Sequence, residues 1–400
     1  MKKINYLFLY IIFVTSMIAQ SKIDETIPVI HISDRLEERE IKLSDICSDI
    51  LYTKLEFDKK YPVVLPNRSP YVTNDYIFFQ SRSIILRYTQ DGKKVVMIGS
   101  IGQGPGQYLN GSSYIIDAFN NKMYIQNNFT KDILVYDFII NKYLYKFILP
   151  FDIEASLLMA IDGFIGMVGE TGRRYASTVR YFSLNFINSE GKVIFEKTNQ
   201  KYIKPKSEHR WNGTYIIGGA TNYWRVEGNS FCSIQEMGCD TIFSITKELK
   251  ISPRFIINCS IRIFDENISD FYAESSNYLF WLMNNNNLKK QIRGFYDKTT
   301  GKSYIHSQHY WSDINKENRK SILGIQNDID GGLPIIIPHK SHSATHWHIF
   351  VEPFELIEYV NSPEFKKTIV KDPQKKEALE RFVKTLVEDD NPVLVTLTLK

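Results

Sequence analysis

The sequence is poor in cysteine, and none of its cysteines is spaced for metal binding. Its 400 residues include four, at Cys47, Cys232, Cys239 and Cys259. There is no Cys-x-x-Cys pair and no Cys/His zinc spacing, which excludes the common structural zinc sites. Four cysteines allow three disulfide pairings, and the sequence assigns none of them.

An excess of charge of one sign is also missing. The 49 Lys and Arg residues nearly balance the 45 Asp and Glu residues, for a formal net charge of +4. Lys2 and Lys3 lie in a segment that we expect to be removed, so subtracting them leaves a mature chain near +2. No dense Lys/Arg block appears, and nothing in the sequence demands nucleic acid or an anionic membrane as a partner.

The common catalytic motifs are absent. The sequence has no Gly-x-Ser-x-Gly elbow, no His-Glu-x-x-His pair and no Asp-Phe-Gly set. The glycine-rich run Gly102–Gly106 lacks the Lys-Ser/Thr pair and the following helix of a phosphate-binding loop, and Pro105 removes one backbone donor. This run therefore predicts a tight turn.

Long apolar runs are lacking, apart from one at the N-terminus. Lys2 and Lys3 precede the apolar residues 4–14, and the small Ala19 precedes Gln20, as in a secretory signal peptide over residues 1–20. The run is short for a membrane span, although an uncleaved anchor is the alternative. No Cys follows it directly. We expect an exported protein, periplasmic or extracellular, that is not a lipoprotein and whose mature chain has no transmembrane span.

One hairpin pattern recurs along the chain. Aromatic residues are 14 % of the sequence and favour strands. An aromatic-rich strand, a turn and a second strand occur five times, with turn centres at positions 92, 141, 191, 249 and 301. The separations are 49, 50, 58 and 52 residues, close to one four-stranded propeller blade of roughly 40–50 residues. A sixth unit is predicted at residues 333–337 and 348–351. The pattern predicts an all-β protein, a six-bladed β-propeller.

The end of the chain is expected to close the ring. Pro373 and the helical spacing of apolar residues predict one short helix over residues 373–388. The alternating residues 393–399 predict a closing strand, and residues 29–32 are expected to be the N-terminal strand of that closure. Residues 21–400 are thus predicted to form a single β-propeller domain.

Four stretches resemble a family of exported bacterial six-bladed propellers related to NHL-repeat proteins. They are residues 98–108, residues 239–243 with 252–255, residues 327–334 and residues 390–395. The sequence departs from the family in having Phe243 where Tyr is usual and in lacking the lipoprotein Cys that members often carry. The resemblance covers roughly residues 28–400 and implies the fold and export. It implies no catalytic residues, because the family's molecular function is unassigned.

Two clusters are candidate metal sites. His339, His342, His346 and His348 are half of the eight histidines and could hold zinc, although a polar loop entering a strand is the alternative. Asn327, Asp328 and Asp330 offer oxygen ligands of the kind that calcium prefers, although such residues also build turns. A divalent metal, zinc or calcium, is the one cofactor that the sequence suggests.

One aromatic and cationic cluster is a candidate ligand site. Its residues are Arg210, Trp211, Tyr223, Trp224 and Arg225. Exposed rings could stack on sugars or anchor a peptide, and packing between blades is the alternative.

These observations predict a binding or scaffolding protein for a protein or glycan ligand, rather than an enzyme. The alternative is a metal-assisted hydrolase or lyase with its site at the propeller axis. We expect a monomer that does not bind nucleic acid. An exposed aromatic or apolar patch would favour the binding protein, whereas titratable groups converging on a metal would favour the enzyme.

Overall fold

A computed structural model of the chain describes most of it, and strands dominate. The described residues are 27–65, 69–110, 112–127, 130–149, 154–161, 163–171, 181–199, 210–211, 214–215, 222–225, 230–235, 240–259, 269–285, 289–313, 323–338 and 342–400. Residues 1–26, which include the predicted signal peptide, lie outside them.

Six sheets form a six-bladed β-propeller, as predicted. In blades 1 to 5, consecutive strands pair antiparallel. Blade 1 contains Tyr71–Val72, Tyr76–Ser81, Ile84–Thr89 and Val95–Met97; blade 2 contains Ser113–Asp117, Lys122–Gln126, Asp132–Asp137 and Lys142–Ile148; blade 3 contains Glu154–Ile161, Phe164–Thr171, Tyr181–Ile187 and Val193–Asn199. Blade 4 contains Asn222–Arg225, Ser230–Gln235, Thr241–Thr246 and Ile251–Cys259; blade 5 contains Ser269–Glu274, Tyr278–Asn285, Lys290–Asp297 and Lys302–Tyr310; blade 6 contains His346–Val351, Val393–Leu399 and Cys47–Thr53.

Two small strand pairs lie outside the blades. Ser100–Ile101 pairs with Gln107–Tyr108, and Arg210–Trp211 pairs with Thr214–Tyr215. The first pair encloses the glycine-rich run between blades 1 and 2, where the side chain of Gln107 accepts a 2.8 Å hydrogen bond from the amide of Gly104. The run is a turn, as predicted, and it connects two blades.

The five predicted hairpin turns are confirmed. Each has a residue with positive φ at its predicted centre: Gly92 (75°), Asn141 (53°), Gly191 (83°), Leu249 (61°) and Gly301 (69°). Gly and Asn tolerate this conformation, which tight turns between twisted strands require. Leu249 does not share that tolerance, but its side chain packs into the core between blades 3 and 4, which offsets the strain.

The same turns join neighbouring blades. In the turn of blade 2, the side chain of Asn141 bonds to the end of blade 1. Its Nδ2 donates to the carbonyl of Met97 at 2.9 Å, and its Oδ1 accepts from the backbone amide of Gly99 at 3.2 Å. In the turn of blade 1, the Gly92 carbonyl accepts from the amide of Glu56, just after the last strand of blade 6, at 2.8 Å. One short motif therefore makes the hairpin and docks it on the preceding blade.

Apolar side chains fill the spaces between blades. Trp281 is fully buried between blades 4 and 5, Trp347 between blades 5 and 6, and Tyr88 between blades 6 and 1. Each blade therefore buries a face against its neighbour, which is how a propeller builds a continuous core from repeats.

The ring closes in blade 6, where the predicted closing strand of residues 393–399 is confirmed but its N-terminal partner is not the expected one. Val393–Leu399 lies between His346–Val351 and Cys47–Thr53 and pairs antiparallel with both. The expectation that residues 29–32 take part in the closure is wrong, because Val29–Ile32 pairs parallel with the outer strand of blade 4. Residues 333–337 form no strand of their own; Leu333, Ile335 and Ile337 are buried in the core beside blade 6.

The segment from Val29 to Ile46 is a strap along the outside of the ring. It runs from the edge of blade 4 to blade 5, where Glu38 forms a bridge with Ile305, and ends in the short helix Leu43–Ile46. The strap covers the backbone groups at two exposed sheet edges, which otherwise invite pairing with another chain.

A buried ion pair joins blades 4 and 5. The Glu274 side chain is 3 % exposed and accepts two 2.6 Å hydrogen bonds from Arg254, while Lys298 lies 2.5 Å away. Arg254 also donates to the Ser233 hydroxyl at 2.6 Å. Burial opposes ionisation, but the two cations outweigh it and hold the pKa of Glu274 below its ordinary value. The Pro-Arg motif of blade 4 thus has a structural role.

The described helices lie mainly in an insertion in blade 6. Pro353–Asn361, Pro363–Lys367 and Pro373–Val383 fall between two of its strands, and Trp311–Asp313 is a single 3-10 turn. The predicted helix before the closing strand is confirmed but ends at Val383, while the other two helices of the insertion were not predicted. No helix among the described residues is long and apolar enough to cross a membrane.

Candidate functional site

Two turns of blade 2 are held in place by aspartates at their strand ends. Asp117 accepts from the amide and side chain of Asn120, and Asp137 accepts from the amides of Ile139 and Ile140. Each carboxylate accepts hydrogen bonds from the residues two or three positions later, in the way that a backbone carbonyl does in a turn, and so fixes the turn. Since a 3.1 Å backbone bond from Phe138 to Asn121 links the two turns, they form one rigid rim.

A groove of about 250 Å³ lies between this rim and blade 1. Its lining combines rings with polar side chains: Tyr71, Val72, Thr73, Asn74, Asp75, Tyr76, Ala118, Asn121, Phe138 and Ile139. Of these described lining residues, Asp75 is the one Asp, Glu, Lys or Arg. Hydroxyl, amide and carboxylate groups beside aromatic rings suit a ligand that needs both hydrogen bonds and apolar contact.

Arg87 fixes the distance between the two walls. It extends from the third strand of blade 1, donates to the carbonyls of Phe138 and Ile139, the latter at 2.7 Å, and places its guanidinium 4.6 Å from the centre of the Tyr76 ring. Burial lowers the pKa of Arg87. Because its Nη1 is bonded to two rim carbonyls, Arg87 ties the two walls of the groove together.

Apolar side chains project into solvent beside the groove. Phe119 is 76 % exposed, Ile140 is 65 % exposed and Ile139 is 37 % exposed. Exposed apolar groups clustered at a concave site are typical of recognition surfaces.

Three of the predicted metal-ligating histidines come together where blade 6 meets blade 1. The rings of His346 and His348 stack with centroids 6.0 Å apart, and the His342 ring lies 5.3 Å from that of Tyr71. His348 is buried and shares a 3.1 Å hydrogen bond with the Thr396 hydroxyl. Burial, with smaller effects of His346 and His342, lowers its pKa to about 3.

The histidine cluster does not form a closed ligand set. In the part of the chain that the structure describes, no three His, Cys, Asp or Glu side chains are grouped to hold a metal ion. His339 lies outside that part. The zinc site stays a prediction.

The predicted calcium loop attaches the strap to blade 6. Asp328 accepts from the amide of Ser44 at 2.9 Å and from its hydroxyl at 2.7 Å. Asp330 accepts from Asn327 at 2.6 Å and from the amide of Gly332 at 2.9 Å. These carboxylates are occupied by donors of the protein itself, which supports the turn-building alternative.

The aromatic cluster predicted to bind ligand is only partly placed. Arg210 and Trp211 lie in a short strand outside the blades, whereas Tyr223, Trp224 and Arg225 lie in the first strand of blade 4. Their side chains are outside what the structure describes, so their role stays a prediction. The groove was missed because its walls come from two blades, and the one local signal was the apolar pair Ile139 and Ile140 inside a turn.

Comparison with known proteins identifies a family. A family model described as a domain of unknown function, DUF4934, matches residues 27–398. No curated protein matches the chain.

Solved structures resemble the chain in fold. A Bacteroides fragilis protein, described as a candidate exported protein, is 17 % identical with a TM-score of 0.62, over 94 % of this chain and 100 % of its own. A member of the DUF4221 family from Bacteroides vulgatus is 12 % identical with a TM-score of 0.40, over 88 % and 97 %. BamB from Moraxella catarrhalis is 11 % identical with a TM-score of 0.36, over 64 % and 69 %.

Proposed function

The chain belongs to the DUF4934 family, and we propose that it is an exported binding protein whose ligand, a glycan or a protein segment, occupies the groove between blades 1 and 2. The observation that carries the proposal is the rigid, exposed apolar rim formed by Phe119, Ile139 and Ile140. Such a rim has no role in the core of the protein, and it adjoins a concave surface with polar groups.

The chemistry of the groove supports recognition of a ligand without net negative charge. Asp75 would repel an anion, and Arg87 is engaged with the opposite wall. Asn74 and Asn121 can donate and accept hydrogen bonds, as sugar hydroxyls and peptide groups require. Phe119 offers an exposed ring for stacking on a sugar or packing against an apolar side chain.

Export is the second part of the proposal. It is supported by the basic and apolar pattern of residues 2–14 and is consistent with the description of the similar Bacteroides fragilis protein. We further propose that the protein acts as a monomer in the periplasm or outside the cell, with its N-terminal segment removed.

Thermal unfolding of the full chain with panels of neutral glycans, acidic glycans and peptides tests the proposal. A ligand at about 100 times its dissociation constant adds about 2.7 kcal/mol, which raises the unfolding midpoint measurably. The double variant Phe119→Ser, Ile140→Ser should lose this shift. Leu51→Ser is the matched control, because Leu51 is 61 % exposed on the outer strand of blade 6 and should leave the shift intact.

Two outcomes contradict the proposal. One is a ligand whose stabilisation survives the double variant, which would place the site elsewhere. The other is a fall in the unfolding midpoint with EDTA that a single divalent metal reverses, together with hydrolase or lyase activity that depends on that metal. That result would favour the metal-assisted alternative.

A further inference from the structure

The fold leaves one carboxylate in the groove between blades 1 and 2 without a partner. Asp75 lines this groove and lies exposed in the turn that joins the first two strands of blade 1. Its backbone is held in place, because its amide donates to the Thr73 hydroxyl at 3.4 Å and its carbonyl accepts a 2.8 Å bond from the amide of Gln90. Its carboxylate forms no hydrogen bond or ion pair with any described residue. The turn therefore holds a negative charge at the wall of the groove, where a ligand can reach it.

The other charged groups of the two walls are matched with one another. Burial lowers the pKa of Arg87, and the nearby carboxylate of Asp137 partly offsets this effect. Lys122 lies opposite both Asp117 and Asp137 in the strand register of blade 2. Two cations thus accompany two aspartates at the rim, and Asp75 has no such counterpart.

The adjoining turn of blade 1 does not neutralise Asp75 either. Lys93 pairs with Asp91 at 3.6 Å, and Lys94 is exposed and forms no ion pair with a described residue. Water and salt weaken the effect of such surface charges at a distance, whereas a cation inside the groove would approach the Asp75 carboxylate directly. The charge of the groove therefore favours a cationic group.

The size and lining of the groove fit one long side chain. Its volume, about 250 Å³, is below the roughly 300–1,000 Å³ of sites that enclose a drug-sized molecule. Arginine and lysine carry an alkyl stem that packs on apolar surface and a charged head that stays near polar groups. The rings of Tyr71 and Tyr76 lie in the same lining as Asp75, and aromatic rings attract cations. A basic side chain therefore matches both the size and the chemistry of the groove.

The rim beside the groove favours a protein over a glycan. Of its exposed apolar side chains, Ile139 and Ile140 are aliphatic and Phe119 is aromatic. A ring can stack on a sugar, but a sugar hydroxyl that is buried against an aliphatic side chain loses its hydrogen bonds with water. Apolar side chains of a peptide carry no such cost. The rim thus adds an apolar contact to the charge at Asp75.

We propose that the groove binds a segment of another protein that carries an arginine or lysine beside an apolar residue. The basic side chain enters the groove with its charge at Asp75, and the apolar residue packs on Phe119 and Ile140. This inference rests on the proposed function, because it names the class of ligand for the same site. A glycan in the groove is the competing outcome of the test.

Selection of a random peptide library on the immobilised full chain provides the probe. Enriched peptides should carry an arginine or lysine beside an apolar residue, and the double variant Phe119→Ser, Ile140→Ser should not select them. An enriched peptide is then synthesised with citrulline in place of arginine, or norleucine in place of lysine. Each replacement keeps the length of the side chain and removes its charge.

A double-mutant cycle on the synthetic peptide tests the contact with Asp75. The neutral peptide should bind the unaltered chain about fivefold more weakly than the charged one, as expected for one ion pair at a partly open site. Asp75→Asn should cause the same loss with the charged peptide and no further loss with the neutral one, because an ion pair can be lost only once. High salt should weaken binding of the charged peptide to the unaltered chain more than to Asp75→Asn.

Glu377→Gln is the matched control for Asp75→Asn. It removes the same charge from an exposed helix of the blade 6 insertion and should leave the affinity for the charged peptide unchanged. The Asp75 carboxylate has no described partner, so an unchanged unfolding midpoint should show that Asp75→Asn folds.

The outcomes separate this inference from the proposed function. The inference is overturned, while the groove remains the binding site, if the rim variant abolishes selection but charged and neutral peptides bind equally or Asp75→Asn binds like the unaltered chain. Enrichment of acidic peptides, or stabilisation by a glycan that depends on Phe119 and Ile140, has the same meaning. Peptides that the rim variant still selects, or no ligand among peptides and glycans, contradict the proposed function itself.

Discussion

The ion pair between blades 4 and 5 allows a quantitative test of how the blades are held together. Glu274→Gln keeps the size of the side chain but removes its charge. Arg254 and Lys298, 23 % and 21 % exposed, would then face a neutral amide in a largely buried site. Breaking a buried pair by removing one partner costs about 3–5 kcal/mol, and the partial exposure of the two cations places the expected loss near the lower limit, roughly 3 kcal/mol.

That loss is large against the usual 5–15 kcal/mol of total stability. Urea unfolding at pH 7, followed by circular dichroism, should show a lower midpoint with an unchanged slope. Glu377→Gln is the control, because Glu377 lies 3.7 Å from Arg381 on an exposed helix face and its pair contributes roughly 0.3–0.5 kcal/mol. If both variants lose less than about 1 kcal/mol, the argument that this pair holds the two blades is refuted.

The pH dependence provides a second measurement on the same variant. The unfolded chain titrates Glu274 near pH 4.3, its ordinary value, while the folded pKa is lower. The pair therefore contributes fully above about pH 4.3 and loses its contribution as the pH falls through the folded pKa. Glu274→Gln should remove this part of the acid destabilisation, so the stability curves of the two proteins should converge at low pH.

Three further predictions concern the turns, a histidine and a thiol. Gly92→Ala should lower the unfolding free energy measured in urea by about 2–3 kcal/mol, because the residue has positive φ and the new Cβ would lie 2.2 Å from the Lys54 carbonyl oxygen. Gly301→Ala is the control and should cost about 1 kcal/mol, because the nearest atom, in Tyr296, is 3.8 Å away. Equal losses in the two variants would contradict the steric argument. His348 should titrate near pH 3 by NMR, whereas the unfolded chain binds this proton near pH 6.5. The free energy of unfolding should therefore decrease as the pH is lowered from about 6.5 to about 3, and it should decrease less in His348→Gln. Cys47, whose pKa burial raises to about 12, should resist thiol reagents until urea unfolds the chain, and rapid labelling of the folded protein would disagree.

The repeat could be predicted from the sequence because its chemistry is local. The turns centred on Gly92, Asn141, Gly191 and Gly301 each place a residue that tolerates positive φ between two aromatic or β-branched strands. Such a signal lies within about fifteen residues, so it does not depend on the rest of the chain. Their regular separation then predicts blades.

Features made by distant residues could not be predicted in this way. The Ser48 hydroxyl contacts the carbonyl of Thr398 across 350 positions, and nothing in Cys47–Thr53 indicates that partner. Val29–Ile32 has the alternation of any half-buried strand, so its sequence could not distinguish a closing strand from an edge strand. The same applies to the groove, where Asp75 and Ile139 meet only after two blades have packed.

The closure of blade 6 has a consequence for biogenesis. Cys47–Thr53 is synthesised early, yet its partner Val393–Leu399 follows only after the other five blades. Each meander can form from local contacts, but blade 6 needs two strands that lie at opposite ends of the sequence, and such non-local pairing is slow. During that interval, the outer strand of blade 6 has an unpaired edge that can pair with another chain. We therefore expect aggregation during refolding to depend on how fast residues 393–399 pair with residues 47–53, and a chaperone that shields this edge should raise the yield of the native ring.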